Sequence, residues 1–203
     1  MVSFTYVDTY EGLTEAAAEW KQALELAVDL ECENNLHHYG TYISLMQIST
    51  KNKNWVVDVL RLGDIKPLLE VLENSTILKI FHDVSFDFRI LQDQFTCHPR
   101  TVFDTQIAAL FLGKEHLGLG DLLKEYFNVE KESKYQMADW TKRPLNEEML
   151  SYAVKDSIHL ISLREMLLKE LGQKERVSWV EEECAALEEA DFTYNTQTFL
   201  DVR

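Results

Sequence analysis

Asp29 and Glu31 stand two apart at the end of a short apolar run, Leu26 to Leu30. Side chains of a strand alternate between its faces, so a pair at i and i+2 points one way. Two neighbouring carboxylates repel unless a cation neutralises them, and a hard divalent ion does this well. Taken alone, such a pair is also what any solvated strand end can carry. Tyr152 and Asp156 lie four apart in a stretch of helical spacing, so a phenol and a carboxylate share one face, a turn apart, and could address one water molecule. Asp87 follows His82 by five residues, near the start of another helical stretch. The C-terminal edge of a strand is where open α/β sheets carry functional groups. In this order, four carboxylates and one tyrosine can meet at one sheet edge, a set suited to two divalent metal ions and phosphodiester chemistry.

Leu26 to Leu30, Ile43 to Ser49, Trp55 to Val59 and Ile77 to Phe81 are apolar or alternating runs with polar borders, hence strands. Asn52-Lys53-Asn54 predicts a hairpin between the second and third. Leu13, Ala16, Ala17, Trp20 and Leu24 recur at helical spacing before the first strand. Helices are expected over Ile65 to Leu72, Ser85 to Gln94 and Thr105 to Leu112, the last capped by Asp104 after a short strand ending near Phe103. From Asn146, with Glu147 and Glu148 in its first turn, one long helix is expected up to Gly172. Lys174 to Ala190 reads as a further, acidic helix. Three strands leading into alternating helices and strands predict an α/β three-layer domain with a mixed sheet.

The 203 residues include 35 acidic and 20 basic ones, a formal charge of −15. That balance speaks against holding nucleic acid by general basic attraction, but not against a nucleic-acid enzyme whose site carries metal ions. Three scattered cysteines, Cys32, Cys97 and Cys184, form no CxxC pair, which points to a reducing intracellular compartment without a disulfide scaffold. The first thirteen residues have no secretory pattern, and no apolar run is long enough for a membrane span.

Six segments in order carry a resemblance: AVDLE (Ala27 to Glu31), SLMQIST (Ser44 to Thr50), KIFHDVSFD (Lys79 to Asp87), FDTQIAA (Phe103 to Ala109), YQMADWTKRPL (Tyr135 to Leu145) and SYAVKD (Ser151 to Asp156). Together they resemble the tyrosine-bearing branch of the DEDD exonuclease superfamily, within the ribonuclease D group. LMQIST and QMADWTKRPL most resemble the exonuclease subunit of the eukaryotic nuclear exosome. The resemblance implies a ribonuclease H-like fold with a five- to six-stranded mixed sheet. It also implies hydrolysis of RNA from its 3′ end to nucleoside 5′-monophosphates. Asp29, Glu31, Asp87 and Asp156 would hold two Mg²⁺ or Mn²⁺ ions, and Tyr152 would orient or help deprotonate the attacking water. His82, Lys134 and Gln136 are candidate substrate contacts, single-stranded RNA 3′ ends the expected partner, and exosome association and a nuclear location follow from the subgroup.

Some positions depart from the subgroup. Ile90 stands where a tryptophan can stack on the terminal base, Cys32 where histidine is common, and Asp83 and Val84 where small residues are usual. A DNA exonuclease and a non-catalytic exonuclease-fold adaptor remain as rival readings; retention of all four acids and the tyrosine disfavours the second. The exonuclease domain is expected over residues 1–172. Residues 173–203, with eight acids against three bases, form an acidic helical extension that does not resemble a complete HRDC domain.

Overall fold

The computed structural model describes residues 2–190 and 192. Its strands are β1 (Thr5–Val7), β2 (Glu25–Asn34), β3 (Thr41–Ser49), β4 (Asn54–Asp58), β5 (Leu78–Phe81) and β6 (Val102–Asp104). They form one mixed sheet in the order β1-β4-β3-β2-β5-β6. β3 runs antiparallel to both neighbours, whereas β1–β4, β2–β5 and β5–β6 pair in parallel. The hairpin expected around Asn52 joins β3 to β4, with Thr50 and Lys53 bonded across the turn.

Two helical layers cover the sheet because its strands are apolar on both faces. On one side, α1 (Tyr10–Trp20), α2 (Val59–Leu62), α3 (Lys66–Leu72) and α4 (Ser85–Phe95) pack Leu13, Trp20, Leu68, Leu72, Phe88 and Leu91 against Leu26, Val28 and Phe81. On the other lie α5 (Thr105–Leu112), α6 (Leu119–Phe127), α7 (Glu147–Ala153), α8 (Leu160–Gln173) and α9 (Val177–Glu189). Ala27 and Ile80 face that layer, together with Leu112, Leu122, Leu163 and Leu167. Alternation along β2 thus sends Val28 one way and Ala27, Asp29 and Glu31 the other.

Four expectations change. The long helix from Asn146 is broken: α7 ends at Ala153, a 3₁₀ turn spans Val154–Asp156, and α8 starts at Leu160. Ser157 explains the break. Its hydroxyl pairs at 2.7 Å with that of Ser49 on β3, and its amide bonds Val154 O, so the turn tightens against the sheet instead of continuing. The strand expected to reach Val59 stops at Asp58, whose carboxylate caps α2 through Arg61 N. Leu24 lies past the end of α1 and is exposed. β1 and α6 have no counterpart among the expected elements; β1 is three residues long, and α6 starts after Gly118, which offers no side-chain cap.

α9 covers the outer edge of the sheet. β6 pairs with β5 on one side; on the other, Val102 N donates to Glu188 Oε1 at 2.7 Å and Asp104 N to Cys184 Sγ at 3.4 Å. Val180 and Cys184 are buried in the second layer. Asp191 and residues 193–203 of the expected extension lie outside the described residues.

Candidate active site

β2 delivers Asp29 and Glu31 from the middle of the sheet, and the chain loses register with β3 immediately afterwards, between Glu31 and Cys32. Such an irregularity bends a strand and re-aims the side chains beside it. The tightened turn after α7 brings Asp156 over the same face. Carboxylate oxygens of Asp29, Glu31 and Asp156 all lie within 4.8 Å of one another. Asp87 comes from the first turn of α4, at the end of β5. It stands outside that tight group yet within electrostatic reach: Asp29 raises its pKa, and Asp87 raises that of Glu31.

The turn that aims Asp87 is held by Asp104. Its carboxylate caps α5 through Gln106 N and Ile107 N, as expected, and also accepts from Asp83 N and Val84 N at 3.1 and 2.9 Å. One side chain therefore fixes both the start of α5 and the β5–α4 turn, in which Asp83 is exposed and adopts a left-handed φ of 61°. Thr105 donates its hydroxyl proton to Phe81 O, so His82 Nδ1, 2.9 Å from Thr105 Oγ1, is the donor to that hydroxyl. Burial keeps that imidazole below the ordinary histidine pKa.

Tyr152 is buried between aromatic rings, with Trp140 at 6.1 Å and the edge of Tyr135 at 5.6 Å. The loop carrying those rings is clamped to the sheet. Arg143 binds the Asp58 carboxylate with both Nε and Nη2 at 2.6 Å, Tyr6 donates to the same carboxylate, and Ser44 Oγ donates to Trp140 O. Lys134 is exposed, paired with Glu148 at 2.6 Å and seated over the Tyr135 ring; Gln136 is exposed on the adjoining turn. With Tyr135, Ser151 and Tyr152, Lys134 lines an open groove of about 480 Å³. Ile90 is buried in the core beneath α4, with Phe88 and Leu91.

Burial and mutual repulsion dominate the electrostatics. Burial, then Asp156, pushes Asp29 up to about 8, and Glu31, Asp87 and Asp156 are likewise raised, burial being the first cause in each. Tyr152 is pushed up to about 12 by burial and then by Asp156, Glu31 and Asp29. The Cys32 thiol is raised by burial and the nearby acids, and so stays protonated. An all-oxygen donor set of converging carboxylates suits a hard divalent metal. Gln47, paired with Asp29 across β2 and β3, fits this polar centre: its amide is buried and has no hydrogen-bond partner among the described residues. Sequence reading noticed Gln47 only as part of a motif, because nothing local marks its position opposite Asp29.

Residues 4–172 match the family of 3′–5′ exonucleases. The chain belongs to that family. Exosome complex component 10 of Homo sapiens is 36% identical over 173 residues, covering 83% of this chain and 19% of that protein. Ribonuclease D of Zymomonas mobilis is 36% identical over 167 residues, covering 80% of this chain and 42% of that protein. The crystal structure of the catalytic core of RRP6 from Trypanosoma brucei superimposes with a TM-score of 0.87 at 33% identity, covering 93% of this chain and 52% of that one. The chain thus spans less than half the length of these two curated relatives. The exonuclease family and its ribonuclease D and exosome members agree with the resemblance carried by the six motifs.

Proposed function

We propose that this exonuclease-family chain is the catalytic unit of a metal-dependent 3′–5′ exoribonuclease acting in RNA processing or decay. The observation that carries this reading is the convergence of Asp29, Glu31 and Asp156, with Asp87 within electrostatic reach of them and Tyr152 on the same cavity wall as Asp156. Ribonuclease D and exosome component 10 among the relatives support RNA as the substrate. Asp29, Glu31, Asp87 and Asp156 would hold two Mg²⁺ or Mn²⁺ ions. When bound, these ions would lower the pKa of the attacking water and offset charge on the departing 3′ oxygen.

The chain's own residues divide the remaining work. Tyr152, wedged between Trp140 and Tyr135 beside Asp156, would orient the attacking water through its phenol hydroxyl. The clamp from Arg143 to Asp58 holds the aromatic wall behind that phenol. Lys134, which lines the groove beside Tyr152, and Gln136, exposed on the same turn, would contact the RNA backbone, and His82, bonded to Thr105, would steady the turn that carries Asp87. Exosome association and a nuclear location belong to the same proposal; among the described residues no helix is long and apolar enough to cross a membrane.

The test is incubation with 3′-labelled and 5′-labelled single-stranded RNA, and with DNA of the same sequence, in Mg²⁺, Mn²⁺ or EDTA. The expected outcome is metal-dependent release of 5′-monophosphates from the RNA 3′ end. RNA left intact in both metals overturns the assignment, and faster shortening of DNA overturns the substrate.

A further inference from the structure

A cation stands against the acidic centre. Lys131, on the loop between α6 and α7, reaches Asp156 Oδ2 with its ammonium at 3.0 Å. The acid is the shielded partner, the Asp156 side chain being 9% exposed and that of Lys131 29%. Its charge extends beyond Asp156, since Lys131 opposes the upward shifts of Asp29 and Glu31 as well. The chain makes room for it: a Cβ on Gly120 would stand 3.3 Å from Lys131 Cβ, so glycine in α6 lets the lysine stem pass. Beside the pair lies a cavity of about 180 Å³ lined by Lys131, Tyr152, Lys155, Asp156 and His159. Its wall is mainly apolar, with Val2, Leu123, Val129 and Ile158, and Glu130 and Glu132 on it offer a departing ammonium new partners.

A divalent ion bound by Asp156 and an ammonium at 3.0 Å from it compete for the same carboxylate. Even if both stayed, they would repel across a partly buried site where screening is weak. We propose that Lys131 is an exchangeable counter-ion of the carboxylate centre: it holds Asp156 in the metal-free protein and withdraws into the adjoining cavity when a divalent ion takes that carboxylate. Lys131 thereby sets the metal concentration at which the centre fills. This rests on the two-metal reading above and adds to it a residue that opposes loading. Removing the lysine also lets protons compete more strongly for the carboxylates. A divalent ion feels twice the repulsion that a proton does, so the net effect of removal favours the metal.

The experiment is a Mn²⁺ titration of the metal-free protein without RNA, free Mn²⁺ being read by electron paramagnetic resonance. Wild type, Lys131→Met, Lys131→Gln and Lys131→Arg are compared, with thermal midpoints taken at zero and saturating Mn²⁺. The two neutral variants should bind Mn²⁺ about three- to tenfold more tightly than wild type. Lys131→Arg should stay close to wild type. The neutral variants should also melt lower than wild type without metal and regain that difference at saturation. Unchanged or weaker Mn²⁺ binding in both neutral variants, with wild type binding normally, overturns the role of Lys131 and leaves the two-metal reading standing. Absence of Mn²⁺ binding in wild type overturns both.

Discussion

Burial, with the neighbouring acids, raises the pKa of both Asp29 and Tyr152, and each yields a measurement. With its pKa pushed up from 3.8 to about 8, Asp29 binds its proton more tightly in the folded, metal-free protein than in the unfolded chain. For such an acid, stability falls as pH rises from the unfolded value towards the folded one. Asp29→Asn removes that penalty, so the metal-free variant should gain thermal stability over wild type, and more at pH 8 than at pH 5. An equal gain at the two pH values would contradict the raised carboxyl. The same variant should lose metal-dependent RNA shortening while remaining folded. Tyr152→Phe keeps the ring between Trp140 and Tyr135 and deletes only the hydroxyl. Its Mn²⁺ affinity should be preserved and single-turnover RNA cleavage slowed by roughly 10²-fold; cleavage at full rate would remove the phenol from the chemistry.

Among the secondary elements, the β5–α4 turn and the start of α5 depend on one carboxylate. Asp104 accepts from four backbone amides, two in each segment. Asp104→Ala leaves those donors without their acceptor in a buried setting and should cost about 2–4 kcal/mol in denaturant unfolding. Because Asp87 rides on the same turn, the variant should also lose cleavage rate at a temperature where it is still folded. A neutral effect on both readouts would mean that the turn holds its shape unaided. The break between α7 and α8 is the second determinant at this scale. The Ser49–Ser157 contact pulls the turn onto the sheet, and Asp156 lies at that turn, so helical periodicity alone would have misplaced the carboxylate by carrying it along a continuous helix.

Across the whole molecule, the exonuclease-family match stops at residue 172, while the layer packing does not. α9 buries Val180 and Cys184 and meets amides on the open side of β6. An uncovered edge strand is a template for pairing with other chains. A chain ending at residue 172 should therefore melt at a lower temperature and form larger species in light scattering. An unchanged, monodisperse melt would show that the sheet edge does not need its helix. The formal charge of −15 takes its place at this scale too. On the proposed function, the carboxylate centre would repel RNA until cations occupied it, so RNA binding should depend on metal and not on a basic surface.

The sequence by itself determined what rests on local rules. Alternation set Asp29 and Glu31 on one face, the caps at Asp104 and Asn146 marked helix starts, and the order of the six motifs carried the family. Partnerships between distant segments were decided by the tertiary structure. Gln47 lies opposite Asp29 through strand register, Ser157 interrupts a helix because Ser49 awaits it on β3, and Cys184 meets β6 from 80 residues away. Lys131 sits in a loop with no periodicity, 25 residues before the acid it neutralises. Local patterns report which face a side chain takes; the group waiting on that face is fixed only when the layers close.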